Sequence, residues 1–223
     1  VKVNAMYGYI AGDDKISNNV SRQLRNLSFR SNIFEISTQA EFILTLLRNN
    51  YGEKYLLKGV TRKTLFEVSV YTFLGLGFFH FNPKTDYQGV TYDLQPLGTE
   101  GQGILPGKDL YSLNQLNIPI GIGFKYRFNK FLAISAEIGY RITFTDYIDD
   151  VSTFYADSAI FSNPVALALS SRANEYTSDS EQLRYADANE KRGNPNLKDS
   201  YVFSTASISY TMKYKRQGHI SRY

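Results

Sequence analysis

Phe131-Leu132-Ala133-Ile134-Ser135-Ala136-Glu137-Ile138-Gly139-Tyr140-Arg141-Ile142-Thr143-Phe144-Thr145 changes character at every step. Successive side chains of an extended chain point to opposite faces. One face therefore carries Leu132, Ile134, Ala136, Ile138, Tyr140, Ile142 and Phe144, and the other Ala133, Ser135, Glu137, Gly139, Arg141, Thr143 and Thr145. A continuous apolar surface lies back to back with a polar, small-residue, charged one. The preceding stretch repeats the pattern, with Leu116, Ile118, Ile120, Ile122, Phe124, Tyr126 and Phe128 alternating against Gln115, Asn117, Gly121, Gly123, Lys125 and Arg127. Asn129-Lys130 joins the two as a tight hairpin.

Four further segments obey the same rule: Val1 to Ile10, Ser28 to Phe42, Thr64 to Phe81 and Tyr201 to Tyr214. Each is as long as, or longer than, the roughly 9–11 residues with which a tilted strand crosses a bilayer, whereas ordinary globular strands average about 5–6. The polar faces add up to nine charges, from Lys2, Glu35, Glu41, Glu67, Lys125, Arg127, Glu137, Arg141 and Lys213. A core between two soluble sheets rejects that many, and a narrow lumen can pair them. The expectation is an all-β, antiparallel up-and-down outer-membrane β-barrel. Ile118, Ile122, Phe124, Ile134, Ile138 and Ile142 face lipid, and Glu67, Lys125, Arg127, Glu137 and Arg141 form a charge network in the lumen.

Composition narrows the alternatives. The 223 residues carry 25 Lys+Arg against 21 Asp+Glu and suit a single domain over 1–223. Mean hydropathy is −0.32, and no run approaches the roughly 18 apolar residues of a transmembrane helix. With no cysteine and only His80 and His219, disulfides, thiolate sites and zinc chemistry are set aside, and no cofactor is expected. Eighteen Tyr and fifteen Phe with no Trp exceed what a polar globular core uses, as an amphipathic setting would. Val1-Lys2-Val3-Asn4 reads as mid-strand, without initiator Met or signal peptide, so the chain is expected to be processed or N-terminally incomplete.

Connections 11–27, 82–110 and 146–200 are long and Asn129-Lys130 is short, as in barrels with long outer loops and short periplasmic turns. By parity 43–63 lies on the periplasmic side with the C-terminal tail, and it is long for that side. Six strands are fewer than the smallest common membrane barrel, so eight are expected, with the first two missing from this chain. Charge follows the same division. The outer loops hold sixteen acids and ten bases, while the periplasmic segments hold nine bases and Glu53 alone. Arg48, Lys54, Lys58, Arg62 and Lys63 stand beside Tyr51, Tyr55 and Leu56, an apolar centre with a basic rim, which is the anatomy of a docking patch. An acidic protein partner, or anionic headgroups of outer-membrane lipid and lipopolysaccharide, suit that surface; nucleic acid does not belong in the compartment.

Other features carry less. Asp146, Asp149 and Asp150 crowd the top of one strand and offer oxygen ligands to a cation, but no glycine-punctuated metal loop surrounds them, and capping is the commoner use of such residues. Gly98-Thr99-Glu100-Gly101-Gln102-Gly103 lacks the Lys-Ser/Thr of a phosphate loop and reads as a structured outer loop. Asn163-Pro164 followed by Val165 to Ala173 reads as a capped short helix over the barrel mouth. His80 near Asp86 and several Ser suggests rim chemistry, such as a lipid hydrolase, but sits on the outward face as an interfacial residue.

Phe81-Asn82-Pro83, Leu97 to Gly103, Tyr111-Ser112-Leu113, Ile118-Pro119, Glu137 to Arg141, Arg192-Gly193-Asn194-Pro195 and above all Thr143-Phe144-Thr145-Asp146-Tyr147-Ile148-Asp149-Asp150-Val151-Ser152-Thr153 resemble the PorG-like outer-membrane barrels of Bacteroidota. The resemblance runs over nearly the whole chain. It implies a Gram-negative outer-membrane location and two further N-terminal strands. It also implies a non-enzymatic role in the type IX secretion system, beside a periplasmic ring of a lipoprotein and its partner subunit. Alternatives are a barrel enzyme with rim chemistry and a surface adhesin using the acidic loops.

Overall fold

The computed structural model describes residues 1–51, 64–129, 131–177, 179 and 186–212, and of residues 47–51 and 64–66 the backbone alone. Seven strands form one antiparallel sheet: β1 (Lys2–Asp13), β2 (Ser28–Tyr51), β3 (Thr64–Tyr87), β4 (Val90–Asp93), β5 (Asn114–Arg127), β6 (Leu132–Thr143) and β7 (Ser200–Tyr210). Their order is β1-β2-β3-β5-β6-β7, with β4 paired to β3 alone. The sheet curls into a half-barrel. Connections 14–27, 94–113 and 144–199 share one end, here the loop end; 128–131 and the close approach of Tyr51 to Thr64 mark the opposite, turn end. At that turn Asn129 Oδ1 accepts from the N–H groups of Phe131 (2.8 Å) and Leu132 (3.0 Å).

The alternation has the predicted orientation and the reverse of a soluble protein's polarity. Ile122 is 58% exposed and Ile138 57%, with Phe124, Ile134 and Ile142 also exposed on the convex face and Ile118 half-buried. On the concave face Glu35 and Asn117 are fully buried and Arg141 is 3% exposed. Burying polar groups while exposing aliphatic ones is unfavourable in water and favourable in hydrocarbon.

Two strands run past their expected ends. Residues 43–51, read as part of a connection, continue β2 and pair with β3 as far as Tyr51 opposite Thr64. The alternation falters at Ile43-Leu44, and the register then shifts between Thr45 and Leu47, so the ladder absorbs one extra residue as a bulge. At its other end β3 continues to Tyr87 and turns back into β4 through Gln88 and Gly89. Both have positive φ, 50° and 80°, as a tight hairpin turn of the right twist requires.

The interior is more aromatic than the alternation alone suggested. Ile33, Phe79, Phe81, Tyr111, Ile148 and Tyr201 form the buried core near the loop end. The rings run as a column: Phe203 to Tyr201 (5.6 Å between centroids), Tyr201 to Phe79 (5.5 Å), Phe79 to Phe81 (5.6 Å), Phe81 to Tyr111 (6.3 Å) and Tyr111 to Tyr147 (4.5 Å). Toward the turn end Tyr71 and Phe73 also point inward, and glycines opposite make room for them. A Cβ at Gly121 would collide with the Ile138 carbonyl and the Phe73 ring, and one at Gly123 with the Tyr71 ring.

Among the described residues β1 pairs only with β2 and β7 only with β6. The two edges nonetheless face each other across the interior, where the Phe203 ring lies against Gly8. Counting along the antiparallel order, β1 and β7 run in opposite directions.

Gly121→Val should destabilise the fold by about 1–3 kcal/mol, because the Ile138 carbonyl is fixed in the sheet backbone and the Phe73 ring would have to leave its buried place. The check is the midpoint of denaturant unfolding in detergent, with Ala206→Val on the exposed face as a control that leaves it unchanged.

Candidate functional site

Two polar knots occupy the interior, with a smaller cluster nearer the turn end. The first is centred on Glu35 of β2. Its Oε2 accepts from Asn117 Nδ2 (3.0 Å), Tyr201 OH (2.9 Å) and Arg141 Nε (3.3 Å), and its Oε1 from Arg141 Nη2 (3.4 Å). The guanidinium of Arg141 also lies over the Phe203 ring, 5.2 Å from its centroid. Four strands, β2, β5, β6 and β7, are tied together by one carboxylate. Nearer the turn end Glu137 Oε1 accepts from Lys2 Nζ (2.5 Å) and Tyr71 OH (2.7 Å), which links β1, β3 and β6.

The lumen charges that the sequence grouped together are thus divided. Glu137 and Arg141, four residues apart on the inward face of β6, pair with Lys2 and Glu35 respectively. Glu67 accepts from Ser69 Oγ (3.3 Å) and stands opposite Arg127 in the ladder. Lys125 and Arg127 take part in no ion pair among the described residues. In place of one five-membered network there are two clusters, one on Glu137 and the other on Glu35, a residue that alternation placed inward without marking it as special.

The second knot is at the loop end and is built from three distant segments. Glu100, from the Gly98–Gly103 turn, is 1% exposed; Arg192, from the segment before β7, is 4% exposed, and Asp150 is 1% exposed. Arg192 Nη1 donates to Glu100 Oε1 (3.1 Å) and to the Asp150 carbonyl (2.5 Å), and its Nη2 lies 3.7 Å from Asp150 Oδ2. Glu100 also accepts from the N–H groups of Ser152 (2.8 Å) and Thr153 (3.0 Å) and from Thr153 Oγ1 (2.6 Å). Asp150 accepts from Thr99 Oγ1 (2.5 Å) and Tyr111 OH (2.7 Å). The turn that presents Glu100 is held by left-handed backbone at Gly98, where a Cβ would strike the Gln102 carbonyl.

Electrostatics separate these acids. Burial raises the pKa of Glu100, but the adjacent Arg192 and three hydrogen bonds outweigh it and leave the group below its ordinary value. Burial wins at Asp150, pushing it up to about 6 against the pull of Arg192, Thr99 and Tyr111. Burial also lowers the Lys108 ammonium, although Glu100 attracts it. Asp146 and Asp149, also at this end, are raised mainly by burial.

Other sequence candidates resolve as follows. Asp150 is committed to Thr99, Tyr111 and Arg192, so Asp146, Asp149 and Asp150 do not converge. Among the described residues no three His, Asp or Glu are placed to hold a metal ion. His80 Nδ1 hydrogen-bonds Asn114 Oδ1 (3.0 Å) rather than a Ser or Asp, while Asp86 pairs with Arg30 and accepts from Thr91 Oγ1 (2.6 Å). The capped helix starts as expected, with Asn163 Oδ1 accepting from the Val165 N–H, but spans Pro164–Ser170 and is followed by a separate turn, Ala173–Tyr176. Lys54, Tyr55, Leu56, Lys58, Arg62 and Lys63 lie outside the described residues, and Arg48 and Tyr51 are placed by backbone alone, at the end of β2. The chain matches no family model, no curated protein and no solved structure.

Arg192→Leu should cost on the order of 3–5 kcal/mol, because it strands two buried carboxylates. The check is the unfolding midpoint, and Arg192→Lys should recover only part of the loss, since a point charge cannot replace the fork. The pH dependence follows from the two signs. Asp150, raised to about 6 from 3.8, binds its proton more readily folded than unfolded, so its penalty shrinks as pH falls through 6. Glu100, lowered from 4.5, stabilises above that value and loses its contribution below it. Amide protection of residues 146–155, corrected for intrinsic exchange, should therefore be greater at about pH 5 than at about pH 8, and should fall again below about pH 4.

Proposed function

We propose that this chain is the larger part of an eight-stranded outer-membrane β-barrel, closed by two further strands between β1 and β7, that serves as a non-enzymatic anchor for a periplasmic ring of the type IX secretion machinery. The observation that carries the membrane reading is the reversed polarity of the sheet: Ile122 and Ile138 more than half exposed outside, Glu35 and Arg141 buried and paired inside. In hydrocarbon every backbone polar group needs an internal partner, and a closed sheet supplies one. No helix among the described residues is long and apolar enough to span a bilayer. Two open edges of opposite direction call for an even number of added strands, and two is the smallest number that gives a common membrane barrel.

The interior argues for an anchor over a conduit. Phe79, Phe81 and Tyr201 fill the lumen beneath the Glu100–Arg192–Asp150 knot, and eight strands enclose little more than side chains. The secretion role itself rests on the resemblance to PorG-like barrels. Its support within the fold is that three blocks carrying the resemblance, Leu97–Gly103, Thr143–Thr153 and Arg192–Pro195, meet in the one buried knot although about ninety residues separate Glu100 from Arg192. Docking on the periplasmic side is assigned to the basic and apolar stretch from Arg48 to Lys63.

The test is retention of the ring in purified outer membranes. Tyr51→Ala with Leu56→Ala should lose most of the ring lipoprotein while the barrel inserts normally, because buried aromatic and aliphatic anchors carry more affinity than rim charges. A Lys54, Lys58, Arg62 and Lys63 charge reversal should lower retention further at low salt than at high salt. Wild-type retention by both variants would overturn the anchor reading.

A further inference from the structure

The loop end holds a basic pocket that neither knot uses. It measures about 270 Å³ and lies between the helix Val20–Arg25 and residues 186–192, with Leu24, Tyr155 and Ala173 among its walls. Those three are buried and give it an apolar floor. Among the described residues that line it, Arg22, Arg25, Lys191 and Arg192 are bases and Glu190 alone is an acid. Both walls are fixed. Asn19 Oδ1 accepts from the Ser21 N–H (2.9 Å) where the helix starts, and Asn26, left-handed at φ 58°, ends it and donates through Nδ2 to the Arg172 carbonyl (3.0 Å). Opposite, the Tyr155 N–H donates to the Glu190 carbonyl and the Asn189 N–H to the Tyr155 carbonyl, each at 2.9 Å. Arg25 Nη1 ties one wall to the other through the Arg192 carbonyl (2.8 Å).

The four bases differ in what they already hold. Arg25 is balanced by Asp14 (2.6 Å) and Arg192 by Glu100 (3.1 Å). Arg22 and Lys191 are exposed and enter no ion pair among the described residues. Arg192 Nη2 also keeps its donors free, because 3.7 Å to Asp150 Oδ2 is beyond hydrogen-bond reach. The acids Asp13, Asp14, Asp146, Asp149 and Asp199 line the larger adjoining cleft and not this pocket. Two uncommitted cations, one from each wall, therefore face the pocket against Glu190.

Size and charge together select the ligand. A water molecule claims about 30 Å³, so the space suits a body of monosaccharide size and not a bare ion. A carboxylate has two oxygens, which a single guanidinium fork fills. A phosphate monoester has a third, and can accept from Arg22 on one wall and Lys191 on the other. We propose that this pocket binds a small phosphorylated ligand of about monosaccharide size, its phosphate held between Arg22 and Lys191 and its body against Leu24 and Tyr155. The phosphate belongs either to a free sugar phosphate or to the glycan of lipopolysaccharide, which offer the same chemistry. The inference goes beyond the anchor reading and does not rest on it, since every wall comes from the connections 14–27 and 144–199.

The experiment titrates the full chain, purified in detergent, with glucose 6-phosphate, glucose and inorganic phosphate by isothermal calorimetry. Glucose 6-phosphate should bind saturably, glucose should not, and inorganic phosphate should compete. Arg22→Gln and Lys191→Gln should each weaken the binding about tenfold, because hydrogen bonds between charged partners are among the strong ones. Both side chains are exposed, so the unfolding midpoints of these variants should stay at the wild-type value. Lys198→Gln, in the adjoining cleft, should leave the affinity unchanged. No saturable binding of glucose 6-phosphate, equally tight binding of glucose, or wild-type affinity in both Gln variants would overturn the proposal. Phosphorylated lipopolysaccharide added as competitor separates the two sources: displacement of glucose 6-phosphate assigns the surface glycan, and no displacement assigns a free sugar phosphate.

Discussion

A strand has only two faces, and in this sheet the polar one is turned inward, so the charged groups on the concave side must find their partners within the sheet itself. Glu35 shows what that demands. Its carboxylate is fully buried and takes hydrogen bonds from Asn117, Arg141 and Tyr201, on three other strands. Truncating any one donor would leave the others holding an under-satisfied charge, which costs more than the bond itself is worth. The curl of the sheet and this cluster are therefore one feature: a flat sheet would carry β2 and β7 too far apart to share a carboxylate. The inner glycines serve the same end, since Tyr71 and Phe73 can lie across the lumen only where β5 has no side chain.

Much of this was written in period-two alternation. The six long segments, the turn at Asn129 and the inward aim of Glu137 and Arg141 all follow from local pattern, because face assignment depends only on parity. What alternation does not carry is partnership. Arg141 lies 106 residues from Glu35 and Arg192 lies 92 from Glu100, and no local rule says which buried base meets which acid. Strand ends fail for a different reason. Ile43-Leu44 puts two apolar residues side by side and looks like the end of a strand, yet the bulge near Leu46 resets the parity and pairing continues.

The loop-end knot reverses the usual relation between loops and scaffold. Glu100, Asp150 and Arg192 come from connections, but they are as buried as anything in the sheet. Two of the three are glycine-flanked, Glu100 by Gly98 and Gly101 and Arg192 by Gly193, where a Cβ would strike the Ser152 backbone. The sequence shows these as loop motifs, and their purpose emerges only when the segments are brought together. Long connections usually vary most and pack least; these close the end of the sheet as a second core, polar where the first is aromatic.

The uneven strand lengths bear on mechanics. β2 continues for twelve residues past Gln39, the last of its residues to pair with β1, and at about 3.3 Å per residue that is roughly 40 Å of ladder shared with β3. A load applied where Tyr51 meets Thr64 runs parallel to both strands. The bonds that tie this ribbon to β1 and β5 are then stretched in shear, all together, and not peeled open one after another. An extended antiparallel ribbon rooted in a curled sheet is thus a stiff member under tension along its length, and a yielding one when bent across it.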